Sequence, residues 1–368
     1  MEKNFIDEIK AILEKDFGKR NSKIIFEKPF IQYLVKKTKS ANKGSKSRGS
    51  FANLYAIYVL LEDYINQNFH KDSNDYSDYD GAIFTNLFTR QRELPFGAKL
   101  QNHAYQGRLN EDFKKYFPTL DLSPLLRDTN VNRYWINENL LLHEIGSKNH
   151  NIAQVIIKII DKYVEAKEDA LSSFIKTCDN LKVISKTKED EVYDFIKNLL
   201  DYNVDARLFE IVSYSILKYY YNNITVYFGF DIEEISKEHL QLYKTGRTNA
   251  NDGGIDFVMK PLGRFFQVTE TTDFKKYFLD IDKIEKFPIT FVVKTTTKIE
   301  DLEKEIKAKA YELYSVKKIV NKYIDSIEEL INIEVLIERF DECVKNGYLI
   351  HILDEIILQS KVEFNFNG

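Results

Sequence analysis

The chain predicts a mixed α/β (α+β) fold, with a mainly α-helical N-terminal domain over residues 1–202 and a mixed central β-sheet flanked by helices over 203–368. Three observations carry this reading. Apolar residues recur at helical spacing through most of the first 200 positions, beginning with Phe5, Ile6, Ile9, Ile12 and Leu13. Runs rich in β-branched and aromatic residues, NITVYFGF and PITFVVKT, appear only after residue 203. Between them the texture changes again, to the Gly- and Asn-rich stretch TGRTNANDGGIDFVMKPLGRFFQVTE at 245–270.

Taken in order, the first helix covers the N-terminal twenty residues, and a second runs from Phe51 to Phe69 with Ser50 as its N-cap. Further helices follow at 151–165 and 188–201, and strand-like alternation is nearly absent from this half. RLFEIVSYSILKYYY (207–221) then reads as an amphipathic helix and 223–230 as a strand. After an acidic segment come the strands GIDFVMK and RFFQVTET around a Pro-Leu-Gly turn, a helix near 275–286, the strand 288–295, and helices to the end. The resulting order after residue 203 is α-β-β-β-α-β.

Composition excludes several classes. A balance of 53 basic against 57 acidic residues gives a net charge of −4, so any binding of a polyanion needs local basic patches. Cys178 and Cys343 stand far apart without ligand spacing, as free thiols in a reducing compartment do. The six histidines show no zinc-ligand spacing. With no secretory apolar core and no membrane-length apolar run, a cytoplasmic protein without a membrane partner is expected.

Two polar stretches carry the basic patches. KKTKSANKGSKSRGS brings Lys36, Lys37, Lys39, Lys43, Lys46 and Arg48 together without an acidic residue, suited to tracking a phosphate backbone. RQRELPFGAKLQNHAYQGR offers Arg90, Arg92, Gln101, Asn102 and His103, side chains able to read base edges.

Strand parity selects residues within 245–270. Ile255, Phe257 and Met259 alternate with Asp256, Val258 and Lys260, and Phe266 and Val268 alternate with Gln267 and Thr269. Pairing apolar with apolar sets Asp256 across from Gln267 and leaves Pro261 and Leu262 at the turn, with Gly263 as a bulge. The other register sets Asp256 on a face with Val268 and Glu270. In the first register a carboxylate and an amide oxygen share a face, and a hard divalent cation takes such oxygen ligands. Glu210, on the amphipathic helix, is the expected second anion, with Asp252 in reserve.

The helix with LFE at 208–210, the loop TGRTNANDGGID and the strand FQVT resemble the PD-(D/E)XK nuclease superfamily in its Mrr-like, Gln-x-Lys variant. The resemblance covers about 205–296 and implies a restriction-endonuclease-like core. Residue by residue, Asp256 matches the metal-binding Asp, Gln267 the Glu/Gln of the third strand, and Glu210 the helix carboxylate. Thr269 stands where the family has Lys, and Lys260, Lys275 and Lys276 are the candidates to replace it. What the resemblance implies is a type II restriction endonuclease: a sequence-specific, Mg²⁺-dependent enzyme that cuts double-stranded DNA and leaves 5′-phosphates. It would act as a homodimer, with a cognate DNA methyltransferase encoded nearby. Mg²⁺ would be held by Asp256, Gln267, the Val268 carbonyl and Glu210, while Arg247 and Thr248 contact the DNA backbone. The competing expectations are a catalytically inactive DNA-binding module and a structure-specific repair nuclease.

Overall fold

The computed structural model describes residues 5–39, 41, 51–71, 74–98, 100–185, 187–245, 255–270 and 274–364. These form two compact units, one up to Ser173 and one from Phe174.

The first unit opens with α1 (Phe5–Phe26), interrupted at Gly18, then α2 (Pro29–Lys37) and α3 (Phe51–Asn66). Helix α3 is its core element: Leu54, Ala56, Ile57, Leu60, Leu61 and Tyr64 are all fully buried. After it come β1 (Ala82–Ile83), α4 (Phe84–Glu93), α5 (Arg108–Tyr116), β2 (Leu125–Asp128), β3 (Arg133–Ile136), the hairpin β4 (Leu142–Ile145) and β5 (Lys148–Asn151), and α6 (Ala153–Ile184). Strands β1, β3 and β2 form an antiparallel sheet in that order. Gly81 is required beside it, because its φ is +78° and a Cβ there would come within 2.4 Å of the Trp135 ring. These five strands correct the expectation of a half nearly free of strands. None exceeds four residues, too short for alternation to stand out from helical spacing.

The division into units falls inside α6, ahead of the expected boundary at 202. Past Ser173 the side chains pack with the second unit's elements: Phe174 stacks on Phe195 of α7 (Glu189–Asn198), and Lys182 pairs with Asp354 at 2.7 Å.

In the second unit, α8 (Ala206–Asn222) is capped by Asp205, whose carboxylate accepts the Arg207 amide at 2.9 Å. It is followed by β6 (Thr225–Phe228), β7 (Ser236–His239), β8 (Gln241–Lys244), β9 (Phe257–Lys260), β10 (Arg264–Thr269), α9 (Phe274–Lys283), β11 (Ile289–Val293), α10 (Ile299–Leu313), α11 (Lys317–Asp325), β12 (Ile327–Ile331), α12 (Ile333–Lys345) and α13 (Leu349–Phe364). The central sheet runs β12-β11-β10-β9-β8. Its β8–β9 and β9–β10 pairs are antiparallel, and its β10–β11 and β11–β12 pairs parallel. Helices cover both faces: Phe257 and Phe266 meet Tyr214 and Tyr221 of α8, whereas Phe291 meets Tyr277 of α9. Strand β11, buried at all five positions, reads as the continuous apolar run such a doubly covered strand requires.

Two strand expectations change. The run at 223–230 does not join the central sheet; among the described residues β6 pairs with β7 alone, and Tyr227 and Phe230 are exposed. Strand β12, expected as helix, fills an edge of the sheet instead. Its Glu328 and Glu329 look helix-forming, but they pair with Arg264 at 2.9 and 2.8 Å, and Glu329 also with Arg339.

Candidate functional site

The site is built where β9 begins and the parallel strands β10 and β11 end, the end of a sheet at which α/β folds usually place ligands. The β9–β10 ladder pairs Met259 with Arg264, Val258 with Phe265 and Phe257 with Phe266, the register that apolar pairing selects. Gly263 closes the turn at φ +67°, its amide donating to the Met259 carbonyl at 2.8 Å. At Asp256 the ladder slips by one residue, so Asp256 and Gln267 are not a simple facing pair. The Asp256 amide donates to the Phe266 carbonyl at 2.9 Å, and its carboxylate accepts the Val268 amide at 2.7 Å. Asp256 thus straddles Gln267.

Thr245, at the end of β8, holds the same residue from the other side. Its amide and its hydroxyl donate to the Asp256 carbonyl at 2.9 and 3.1 Å, and the hydroxyl also reaches the Ile255 carbonyl. Gln267 donates from Nε2 to the Val268 carbonyl at 3.2 Å, leaving its Oε1 buried without a hydrogen-bond partner. Such an orphaned acceptor is costly unless something else satisfies it.

Electrostatics mark the same atoms. Burial, followed by the negative charge of Glu210, pushes the Asp256 carboxyl up to about 8; the Val268 amide and Lys244 oppose this, and Asp280 adds slightly to it. Glu210 pairs with Lys244 at 2.7 Å. Two carboxylates, one uncommitted amide oxygen and adjoining backbone carbonyls form a hard-oxygen set that fits a small divalent cation retaining part of its water shell. A cation there would relieve the repulsion that raises Asp256. Among the described residues no cluster of three or more His, Cys, Asp or Glu side chains is arranged to hold a metal, so the Gln267 oxygen, backbone carbonyls and water must complete any shell.

Thr269 continues β10 beside Val293, and its carbonyl accepts the Lys294 amide at 2.8 Å. Of the three lysines considered as substitutes, Lys260 lies over the Tyr243 ring at 5.4 Å, and Lys275 and Lys276 are exposed on α9. Two others do the work of placing positive charge. Lys244 reaches Glu210, and Lys294, 4% exposed, pairs with Glu270 at 2.7 Å and donates to the Val204 carbonyl. The sequence reading missed both; a lysine closing an apolar strand is the signal that could have found Lys294, and Lys244 carried none.

The described residues among those expected to contact DNA all belong to the first unit. Lys36 and Lys39 are exposed on and just beyond α2. Lys37 is committed to Asp112 at 2.7 Å, where Tyr33 and Asn53 also donate. Arg90 grips both oxygens of Glu62 at 2.8 and 2.9 Å, and Arg92 donates to the Ala98 carbonyl while lying over Phe88. Gln101 and Asn102 are half-buried and His103 is exposed. Lys43, Lys46, Arg48, Arg247, Thr248, Ser50 and Asp252 lie outside the described residues.

No protein-family model matches this chain, and no curated protein or solved structure matches it either.

Proposed function

We propose that the chain is a Mg²⁺-dependent endonuclease of double-stranded DNA, of the PD-(D/E)XK kind, acting as a homodimer in the manner of a type II restriction enzyme. One observation carries the reading: the Asp256 carboxyl is held on the Val268 amide beside the orphaned Gln267 oxygen, with Glu210 close enough to raise its proton affinity. A pair of carboxylates that repel one another at the end of parallel strands is an arrangement suited to a cation and a phosphate.

Asp256, Gln267 and the Val268 carbonyl would hold Mg²⁺, with Glu210 assisting. When bound, the ion supplies charge for the phosphate and lowers the pKa of water. The chain does the rest. The Val268 amide fixes the direction of the Asp256 carboxylate, and the Thr245 bonds to the Asp256 carbonyl hold the backbone that carries it. Lys244 takes over the charge-balancing part of the lysine that Thr269 lacks: it neutralises Glu210 and draws the Asp256 proton affinity down. Two copies, each cutting one strand at a symmetric site, would leave 5′-phosphate ends.

The test is incubation of purified protein with defined duplex DNA, with and without Mg²⁺, followed by mapping of the ends. Discrete metal-dependent cuts bearing 5′-phosphates are expected, and Asp256→Ala should reduce the rate by at least about a hundredfold. Full activity in that variant, or no cleavage of any sequence by the intact protein, would overturn the reading.

A further inference from the structure

At the opposite end of the central sheet lies a second feature that the cutting centre does not use. A cavity of about 750 Å³ opens beside α11, lined by Lys286, Lys317, Lys318, Lys322, Asn321 and Asp325. The sequence KKIVNKYID explains the convergence. Positions 317, 321 and 325 form one helical stripe and 318 and 322 the next, while Val320 and Tyr323 are buried on the other side. Lys286 joins them from the segment between α9 and β11. Its backbone is left-handed, at φ +62°, and its amide donates to the Ile281 carbonyl at 2.9 Å. Ser326 fastens the two parts by donating to the carbonyls of Lys322 and Lys286 at 2.7 and 3.2 Å.

The charges are arranged for a polyanion. Lys286 is paired with Asp282 at 2.6 Å, and Asp282 is itself held by the Tyr323 hydroxyl. Lys317, Lys318 and Lys322 are exposed and make no ion pair among the described residues, unlike Lys218, Lys244, Lys294, Lys304 and Lys309 of the same unit. Lys286 lies three residues ahead of β11 and Ser326 immediately ahead of β12, whereas Asp256 binds Val268 near the far end of β10. Five residues of strand, roughly 16 Å, separate the two ends of β11.

We propose that this lysine cavity is a second contact for the phosphate backbone of the nucleic acid, remote from the reacting phosphate and contributing affinity without sequence information. The nature of the polyanion rests on the nuclease reading. Each phosphate neutralised by a lysine releases counterions and adds about 0.9 to the steepness with which affinity falls with salt.

The test uses the full-length chain carrying Asp256→Asn, which binds without cutting, and a labelled duplex oligonucleotide followed by anisotropy across a salt series. Adding Lys317→Ala, Lys318→Ala and Lys322→Ala together should lower the slope of log affinity against log salt by about 2 to 3. It should also weaken binding at least about tenfold at physiological salt, and the three Lys→Arg replacements should restore both. An unchanged slope with an unchanged thermal midpoint would overturn the proposal. So would tight binding of inorganic phosphate or a nucleoside triphosphate, lost in the triple variant while duplex binding persists, because it would assign the cavity to a small ligand. If Asp256→Ala still cuts DNA, the catalytic reading fails and the salt slope still decides this one. If Asp256→Ala is inert but the slope does not move, only this one fails.

Discussion

Asp256 is the residue at which the pH dependence of the candidate site concentrates. In the folded chain its carboxyl keeps a proton up to about 8, against an ordinary value of 3.8. Between those limits the folded state holds a proton that the unfolded state has released. The stability from this group is therefore complete below the ordinary value and is lost as pH rises through about 8, at no more than about 1.4 kcal/mol per pH unit. Urea titrations of the metal-free protein across that window should show the decline, and Asp256→Asn should flatten it; equal slopes would refute the assignment. Glu210→Gln removes a like charge and should move the Asp256 titration downward, as read from the carboxyl carbon's chemical shift. Alternation along 255–260 and 264–269 made Asp256 and Gln267 legible in the sequence. The slip in the ladder at Asp256 was not, because it depends on Thr245 clasping the residue from β8, and alternation says nothing of a third strand. Lys244 stayed hidden for the same reason.

Among elements, burial decides what a substitution costs. Phe291, in the centre of β11, is fully enclosed, and Phe291→Ala should destabilise the protein by about 3–5 kcal/mol in denaturant titrations. Phe230, beyond β6, is 94% exposed, and Phe230→Ala should stay within about 0.5 kcal/mol. The sequence-level strand reading treated both runs alike, since β-branched and aromatic residues favour a pleated surface whether or not a core waits behind it. The sheet formed instead with β8 and β12. QLYK is too short to declare itself, and IEELI carries adjacent glutamates whose partners, Arg264 and Arg339, come from distant strand and helix positions. Strands β9, β10 and β11 and helix α8, which hold the site, were all readable because each is long enough or apolar enough to show its period.

At the scale of the molecule, each unit buries its own core, and the candidate cation site belongs wholly to the second. Calorimetry should therefore resolve unfolding into two transitions, of which Mg²⁺ raises only one. At a hundredfold excess over its dissociation constant the ion stabilises by about 2.7 kcal/mol, or roughly 5–10 °C for a unit of this size. Equal shifts of both transitions, or none, would contradict the placement of the site. The boundary between units escaped the sequence because it falls within the unbroken helical periodicity of α6, and helical spacing registers only that one face is apolar, not which core receives it.

The clasp of Thr245 on Ile255 and Asp256 has a consequence for how such a protein can change over time. It ties Thr245 to Ile255 and Asp256, while the carboxylate rests on the Val268 amide, so both sets of hydrogen bonds lie outside residues 246–254. Doubling the length of a segment closed in this way costs only about 0.6 kcal/mol. A change in the number of residues between Thr245 and Ile255 therefore leaves these hydrogen bonds, and the direction they give Asp256, in place.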